Sequence, residues 1–184
     1  HVVLGPIETG FYKLAGIDPA IEQGWRRYAV HMLVFQLAAL LFTYAVLRWQ
    51  AGLPLNPRGL EGIGADGAFN TAISFTTNTN WQSYAGEAGA GHVVQALGLA
   101  VQNFVSAAVG MAVAVALVRG IAAQGTDRIG NFWVDLVRGS LRILLPIAVV
   151  AAIVFLLSGV PQNLGAPQPV TTVAGHPEAF KITT

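Results

Sequence analysis

The chain has 184 residues, 54% of them hydrophobic and only 10% charged. Soluble domains carry about 25% charged residues, so this composition, with a mean hydropathy of +0.57, belongs to an integral membrane protein. A formal charge of +1 offers no basic surface for nucleic acid, and the lack of cysteine excludes disulfides, thiolate metal sites and a cysteine nucleophile.

Residues 1–27 mix apolar and charged positions with Gly5-Pro6, Gly16 and Gly24, and read as a cytoplasmic or interfacial segment. Within it, Asp18-Pro19 ahead of Ala20-Ile21-Glu22 has the form of a helix start, with Asp18 as N-cap and Pro19 at N1. Trp25-Arg26-Arg27-Tyr28 then combines aromatics with positive charge, which marks a membrane edge. Tyr28–Leu47 is the first predicted span, close to the ~20 residues that a membrane helix needs. His31 lies near its boundary, where an imidazole reaches interfacial partners. The other histidines, His1, His92 and His176, show no metal-ligand spacing.

Residues 51–67 contain two prolines and five glycines and predict a loop, with Asp66 placed to cap a following helix. A pore helix is expected over about 68–76, followed by a polar loop at 77–80. Thr76-Thr77-Asn78-Thr79-Asn80 cannot face lipid, because irregular backbone at membrane depth survives only inside protein or against water.

Residues 93–118 form the second predicted span. Gln95, Gln102 and Ser106 fall roughly on one side of it, with Asn103 adjacent; such amides join helices or back a pore loop. Residues 119–138 are read as a cytoplasmic connector containing Asp127 and Asp135, within which Asn131–Arg142 is amphipathic and suits a helix entering along the interface, and 139–158 as a third span in which Pro146 is tolerable. Residues 159–184 are proline-rich and read as an external loop.

The fold class is therefore an all-α membrane protein, built as a channel-like helix–pore loop–helix repeat (28–118) plus the first helix of a second repeat. Seven Lys/Arg residues flank the proposed inner ends and three the outer, which puts the 77–80 loop outside by the positive-inside rule. One such unit cannot surround an ion, so the chain is expected to be part of a longer polypeptide.

The loop chemistry suits a monovalent cation. Carbonyl dipoles replace potassium's hydration shell, whereas carboxylate rings favour divalent ions. Ala68–Ser83 carries no charge. Turning successive carbonyls toward one axis needs unusual φ/ψ, and Asn78 and Asn80 are the loop residues that best tolerate the left-handed region. Thr77, Asn78, Thr79 and Asn80 are thus the candidate potassium-binding filter. Thr76, Trp81, Gln82, Tyr84, Gln102 and Asn103 are candidate supports. No catalytic residue is assigned, since neither a phosphorylatable Asp-Lys-Thr-Gly motif nor a Walker-type loop is present.

The stretch NTAISFTTNTNWQSYAGE (70–87) closely resembles the first pore-loop signature of the potassium-transporting ATPase A subunits, the Kdp family. IETGFYKLAGID, LPLNPRGLEG, VQNFVSAAVGMAVAVALVRG and GNFWVDLVR fit the same family, so the resemblance covers nearly the whole chain. It implies a Trk/Kdp-type potassium transporter fold and a piece of roughly the N-terminal third, with three later pore repeats beyond Thr184. It also implies potassium as the transported ion, with no covalent cofactor, and a bacterial inner-membrane, multi-pass location. The implied partners are a P-type ATPase catalytic subunit and small accessory membrane subunits. A passive channel or Trk-like pore unit shares the loop plan but not the flanking sequences, and a non-conducting scaffold is the reading from another class.

Overall fold

The computed structural model describes residues 4–123, 125–160, 164–165, 168–171 and 177–180. Seven α-helices are present among them: α1 (Leu4–Ala15), α2 (Trp25–Arg48), α3 (Ala65–Thr76), α4 (Gly86–Gly89), α5 (Val101–Ala122), α6 (Phe132–Arg138) and α7 (Leu145–Leu157). Two π-helical segments, Val94–Ala100 and Gly139–Leu144, lead into α5 and α7. The continuous helices Trp25–Arg48, Val94–Ala122 and Phe132–Leu157 are each long and apolar enough to cross a membrane. The protein is an all-α membrane protein. The described residues also contain a short antiparallel pair, β1 (Gln168–Thr171) with β2 (Pro177–Phe180), registering Gln168 opposite Phe180.

The first span begins at Trp25, ahead of its apolar run, and the second continues past Val118 to Ala122. At the third, residues 132–138 are helical, as the amphipathic Asn131–Arg142 stretch suggests, and they run on into the span, so Asp135 belongs to a spanning helix. Asn131 caps that helix by accepting the Trp133 N–H at 3.1 Å. The π-helical stretch Gly139–Leu144 lies directly before Pro146, whose missing N–H loosens the ladder at that point.

The chain divides into two compact units. The first joins residues 1–38 and 104–151. Its core is Tyr28, Ala108, Val109, Ala112, Ala116, Phe132 and Leu136, with Phe35 and Trp133 packed against it. Alanines at Ala108, Ala112 and Ala116 recur every four residues, presenting a flat strip on which the aromatic rings settle. Tyr28 and Phe132 meet edge-to-face at 5.6 Å. Above this core, Asp135 takes both arms of Arg119, at 2.6 and 2.9 Å, and lies 3.1 Å from the Tyr28 hydroxyl. A buried carboxylate needs that pairing.

The segment before α2 carries more structure than a linker. α1 buries Glu8 and Tyr12 on one face. Glu8 is held by Arg142 through both carboxylate oxygens, with Arg138 3.9 Å away. These guanidinium groups hold its carboxyl below the usual carboxylate range, Arg142 most strongly. The expected helix start at Asp18-Pro19 is absent. Asp18 instead caps a single turn, accepting the Ala20 N–H at 2.9 Å. Gln23 fixes the approach to α2: it accepts the Phe132 N–H at 3.1 Å and donates to Asn131 Oδ1 at 3.2 Å.

The second unit joins residues 39–103 and 152–184. Leu47, Ala68, Ala72, Phe75, Ala90, Val94 and Leu99 form its core. Its irregular segments are tied by Gln50, which is 1% exposed. The Gln50 side chain donates to Glu61 O (2.6 Å) and Gly89 O (3.0 Å) and accepts from Gly91 N (3.2 Å). One amide thereby satisfies three main-chain groups from two loops, as buried polar backbone requires.

Candidate functional site

α3 brings the chain to the polar loop. Asp66 does not cap it: the N-cap is Gly64, without a side-chain bond, and Asp66 sits in the first turn, where its charge suits the positive helix end. Ala68, Thr71, Ala72 and Phe75 recur on one helical face and are buried. The helix stops after Thr76, with Thr77 as C-cap.

The stop is a Schellman motif. The Thr79 N–H bonds Ser74 O at 2.8 Å and the Asn78 N–H bonds Phe75 O at 3.2 Å, while Asn78 takes φ +60° at the C′ position. Asn80 also stands at φ +60°, so both asparagines adopt the left-handed geometry expected of them. Asn is suited to it because its short polar side chain bonds locally. Here Asn80 Nδ2 donates to Asn78 Oδ1 at 3.2 Å.

Ser74 organises the turn from beneath. Its carbonyl also accepts the Asn80 N–H at 3.2 Å, and its hydroxyl accepts the Trp81 N–H at 2.6 Å. The residue is 9% exposed. The Thr77 hydroxyl donates to Ile73 O at 2.9 Å and lies 3.2 Å from the Thr79 hydroxyl. Thr77, Asn78, Thr79 and Asn80 are all exposed. The amide hydrogens thus turn inward to the helix end. Among the described residues, the main-chain carbonyls of Thr77, Thr79 and Asn80 accept no hydrogen bond.

The expected supports separate into groups. Thr76 is buried beneath the turn, at 4% exposure. Tyr84 packs against the core containing Leu47, Phe75 and Val94, and burial pushes its phenol pKa up. Gln102 is buried in the same unit. Asn103, next to it, is exposed. Trp81 is 76% exposed and gives its N–H to Ser74. Gln95 ties α4 to the following helix by donating to Gly86 O and Ala90 O at 3.2 and 2.7 Å.

Two buried polar atoms in this unit, Gln82 Oε1 and Gln102 Nε2, find no hydrogen-bond partner among the described residues, while the Tyr84 phenol and the Thr71 hydroxyl face each other. Buried polar groups are almost always paired, so such atoms mark places where this chain alone leaves a polar interior incomplete. No cluster of His, Asp and Glu able to hold a multivalent metal occurs among the described residues.

Sequence reasoning missed Ser74 and Gln50. Ser74 had a local signal, since it lies four residues before Asn78, the offset from C3 to C′ that a Schellman cap requires. Gln50 had none, because its partners are main-chain groups 11 and 39 residues away.

Residues 1–183 match the family described as "Potassium-transporting ATPase A subunit". Curated relatives bearing the name "Potassium-transporting ATPase potassium-binding subunit" include those of Rhodospirillum centenum, 58% identical over 95% of this chain, and Paramagnetospirillum magneticum, 55% identical over 94%. That of Nitratidesulfovibrio vulgaris is 53% identical over 95%. The chain spans 30–31% of the length of these relatives. A match across nearly every residue, carried on the Schellman-capped loop and the three spanning helices, means that the chain belongs to the potassium-transporting ATPase A subunit family.

Proposed function

We propose that this chain supplies the first pore repeat of the potassium-binding, channel-like subunit of an ATP-driven potassium uptake complex in a bacterial inner membrane. Main-chain carbonyls of Thr77, Asn78, Thr79 and Asn80 coordinate potassium arriving from the outer side. Thr76, Gln82, Tyr84, Gln102 and Asn103 support the loop. A P-type ATPase subunit hydrolyses ATP, and small accessory membrane subunits complete the assembly.

The observation that carries this reading is the paired left-handed geometry of Asn78 and Asn80 at an uncharged helix C-terminus. That geometry consumes the loop's amide hydrogens in capping and leaves carbonyl oxygens for a ligand. The negative end of the α3 dipole adds a field that favours a cation. Potassium is weakly hydrated, so neutral dipoles suffice to replace its water. The unpartnered Gln82 and Gln102 atoms support a site completed by further repeats of a longer polypeptide.

The reading is tested by potassium-dependent ATPase activity of the complete complex, measured across potassium concentrations with rubidium as competitor. Changes confined to the 78–80 backbone should move the apparent potassium affinity. Unaltered affinity in every such variant would refute the filter assignment. External labelling of Ala88→Cys by an impermeant thiol reagent, with Thr126→Cys protected, tests the outward orientation.

A further inference from the structure

The first unit contains a cavity of about 450 Å³ between α1 and the start of the third span, lined by Glu8, Thr9, Tyr12, Lys13, Arg138 and Arg142 among others. Three cations face one carboxylate. Both Glu8 oxygens are committed to Arg142, and Arg138 approaches Glu8 only at 3.9 Å. Lys13 makes no ion pair among the described residues. A net positive charge is therefore left over in the cavity wall.

Tyr12 adds a second, independent sign of a ligand. It is 7% exposed and lines the cavity, and its O–H finds no acceptor among the described residues. Burial pushes its pKa up, while Arg138, set against the phenol oxygen, pulls the other way. A phenol O–H without an acceptor, a guanidinium held only loosely to Glu8 and an ammonium with no ion pair among the described residues converge on one pocket. That is a donor set for an oxyanion, since each group gives a hydrogen bond and two give charge.

The outer face of α1 identifies what the anion is attached to. Ile7, Phe11 and Leu14 recur at i, i+4 and i+7, and are 45%, 50% and 88% exposed. A helix with one polar, cation-bearing face and one apolar stripe lies in the plane of a membrane interface. The occupant must match both features, with an anionic phosphate for the cavity and acyl chains for the stripe.

We propose that this cavity binds the phosphodiester headgroup of an anionic phospholipid, with α1 lying in the interface so that Ile7, Phe11 and Leu14 contact its acyl chains. Basic pockets between membrane helices bind anionic lipid headgroups, each cation near the surface adding about 1 kcal/mol. The inference is independent of the filter assignment, and its readout is lipid retention, not transport.

The test uses the complete complex purified in mild detergent and titrated with phosphatidylglycerol or phosphatidylcholine, with bound lipid counted by native mass spectrometry. Phosphatidylglycerol should be retained preferentially. Each lost cation should weaken binding about fivefold, so Lys13→Gln and Arg138→Gln should each reduce retention and Lys13→Arg should restore it. Lys13 is exposed and unpaired, so its loss from the headgroup is readable without unfolding α1. A photo-crosslinking residue at Leu14 should capture lipid. Equal retention of both lipids, or undiminished retention in Lys13→Gln, overturns the proposal. Displacement by millimolar inorganic phosphate overturns the lipid assignment in favour of a free anion. Capture of another protein segment at Leu14 overturns it in favour of a helix covering the stripe.

Discussion

The hydroxyl of Ser74 accepts the Trp81 N–H at 2.6 Å across the whole 75–80 turn. With its carbonyl bonded to Thr79 N and Asn80 N, this one residue receives three amide hydrogens from the loop. Ser74→Ala leaves the Trp81 N–H without its acceptor, at a cost of about 1–3 kcal/mol. We expect a several-fold rise in the potassium concentration for half-maximal ATPase activity in the complete complex, with little change in maximal rate. Ser74→Thr, which keeps the hydroxyl, should stay near the parent. Equal affinities for Ala and parent would show that the serine is not what holds the turn.

Asn78 and Asn80 separate a carbonyl site from a side-chain site. Valine at either position carries a Cβ branch into left-handed geometry at about 1–2 kcal/mol, worth roughly fivefold to thirtyfold in affinity. Glycine reaches φ +60° freely, and C′ is its most frequent cap position. Asn78→Gly should therefore cost little beyond the 3.2 Å contact from Asn80 Nδ2. Potassium titrations of the four variants give the order. If glycine is as harmful as valine, the side-chain amides are the ligands.

Gly62 offers a test of the scaffold distant from the filter. A Cβ there would lie 2.2 Å from Arg48 O, against backbone that cannot yield. The same contact is framed by Ile63 N to Leu47 O at 3.1 Å and Arg48 Nη1 to Ile63 O at 2.6 Å. Gly62→Ala should lower the thermal unfolding midpoint by several degrees. Gly64→Ala meets nothing within 4 Å and should be silent. Circular dichroism melts of the two variants in detergent decide the matter; similar melts would show that the 48–63 contact is slack.

Glu8 gives the chain an acid-sensitive anchor. Its pKa is lowered in the folded state, chiefly by the Arg142 hydrogen bonds. A depressed carboxylate contributes stability that is fully present above the unfolded pKa and is lost as pH falls through the folded one. Melting temperature should hold from neutral pH to about 5 and then decline below the ordinary carboxylate range. Glu8→Gln should be less stable at neutral pH and lack part of that decline. A Glu8→Gln profile parallel to the parent at all pH values would remove Glu8 as the source.

Much of this architecture is readable from residues, and the exceptions have physical causes. The three spans follow from apolar length, which the bilayer dictates. The left-handed asparagines follow from steric tolerance, a property of single residues. α1 escaped because Gly5-Pro6 and Gly16 suggest a linker, although Glu8 and Tyr12 share a helical face beside the stripe of Ile7, Phe11 and Leu14. Asp135 reads as part of an interfacial helix ahead of the third span because charge usually ends a span. It is tolerated within the helix because Arg119 and Tyr28, 16 and 107 residues away, neutralise and solvate it. Trp81 was expected to brace the loop with its ring, yet such bracing depends on neighbours that no local rule reports.

The two π-helical segments, Val94–Ala100 and Gly139–Leu144, make these helices unusual in how they record length changes. A π turn accommodates a surplus residue without lengthening the helix by a full step. Deleting one residue from Val94–Ala100 would therefore restore ordinary winding and leave the membrane span almost unchanged. The side chains beyond it would keep nearly their present faces, because the surplus residue is what the wide turn absorbs. A deletion in the regular winding of α5 would instead swing every later side chain by about 100° around the axis, although hydropathy registers no difference between the two sequences. A single-codon deletion is thus tolerable in the π segment and disruptive beyond it, and variants of the second kind should reach the membrane in normal amounts yet fail to assemble.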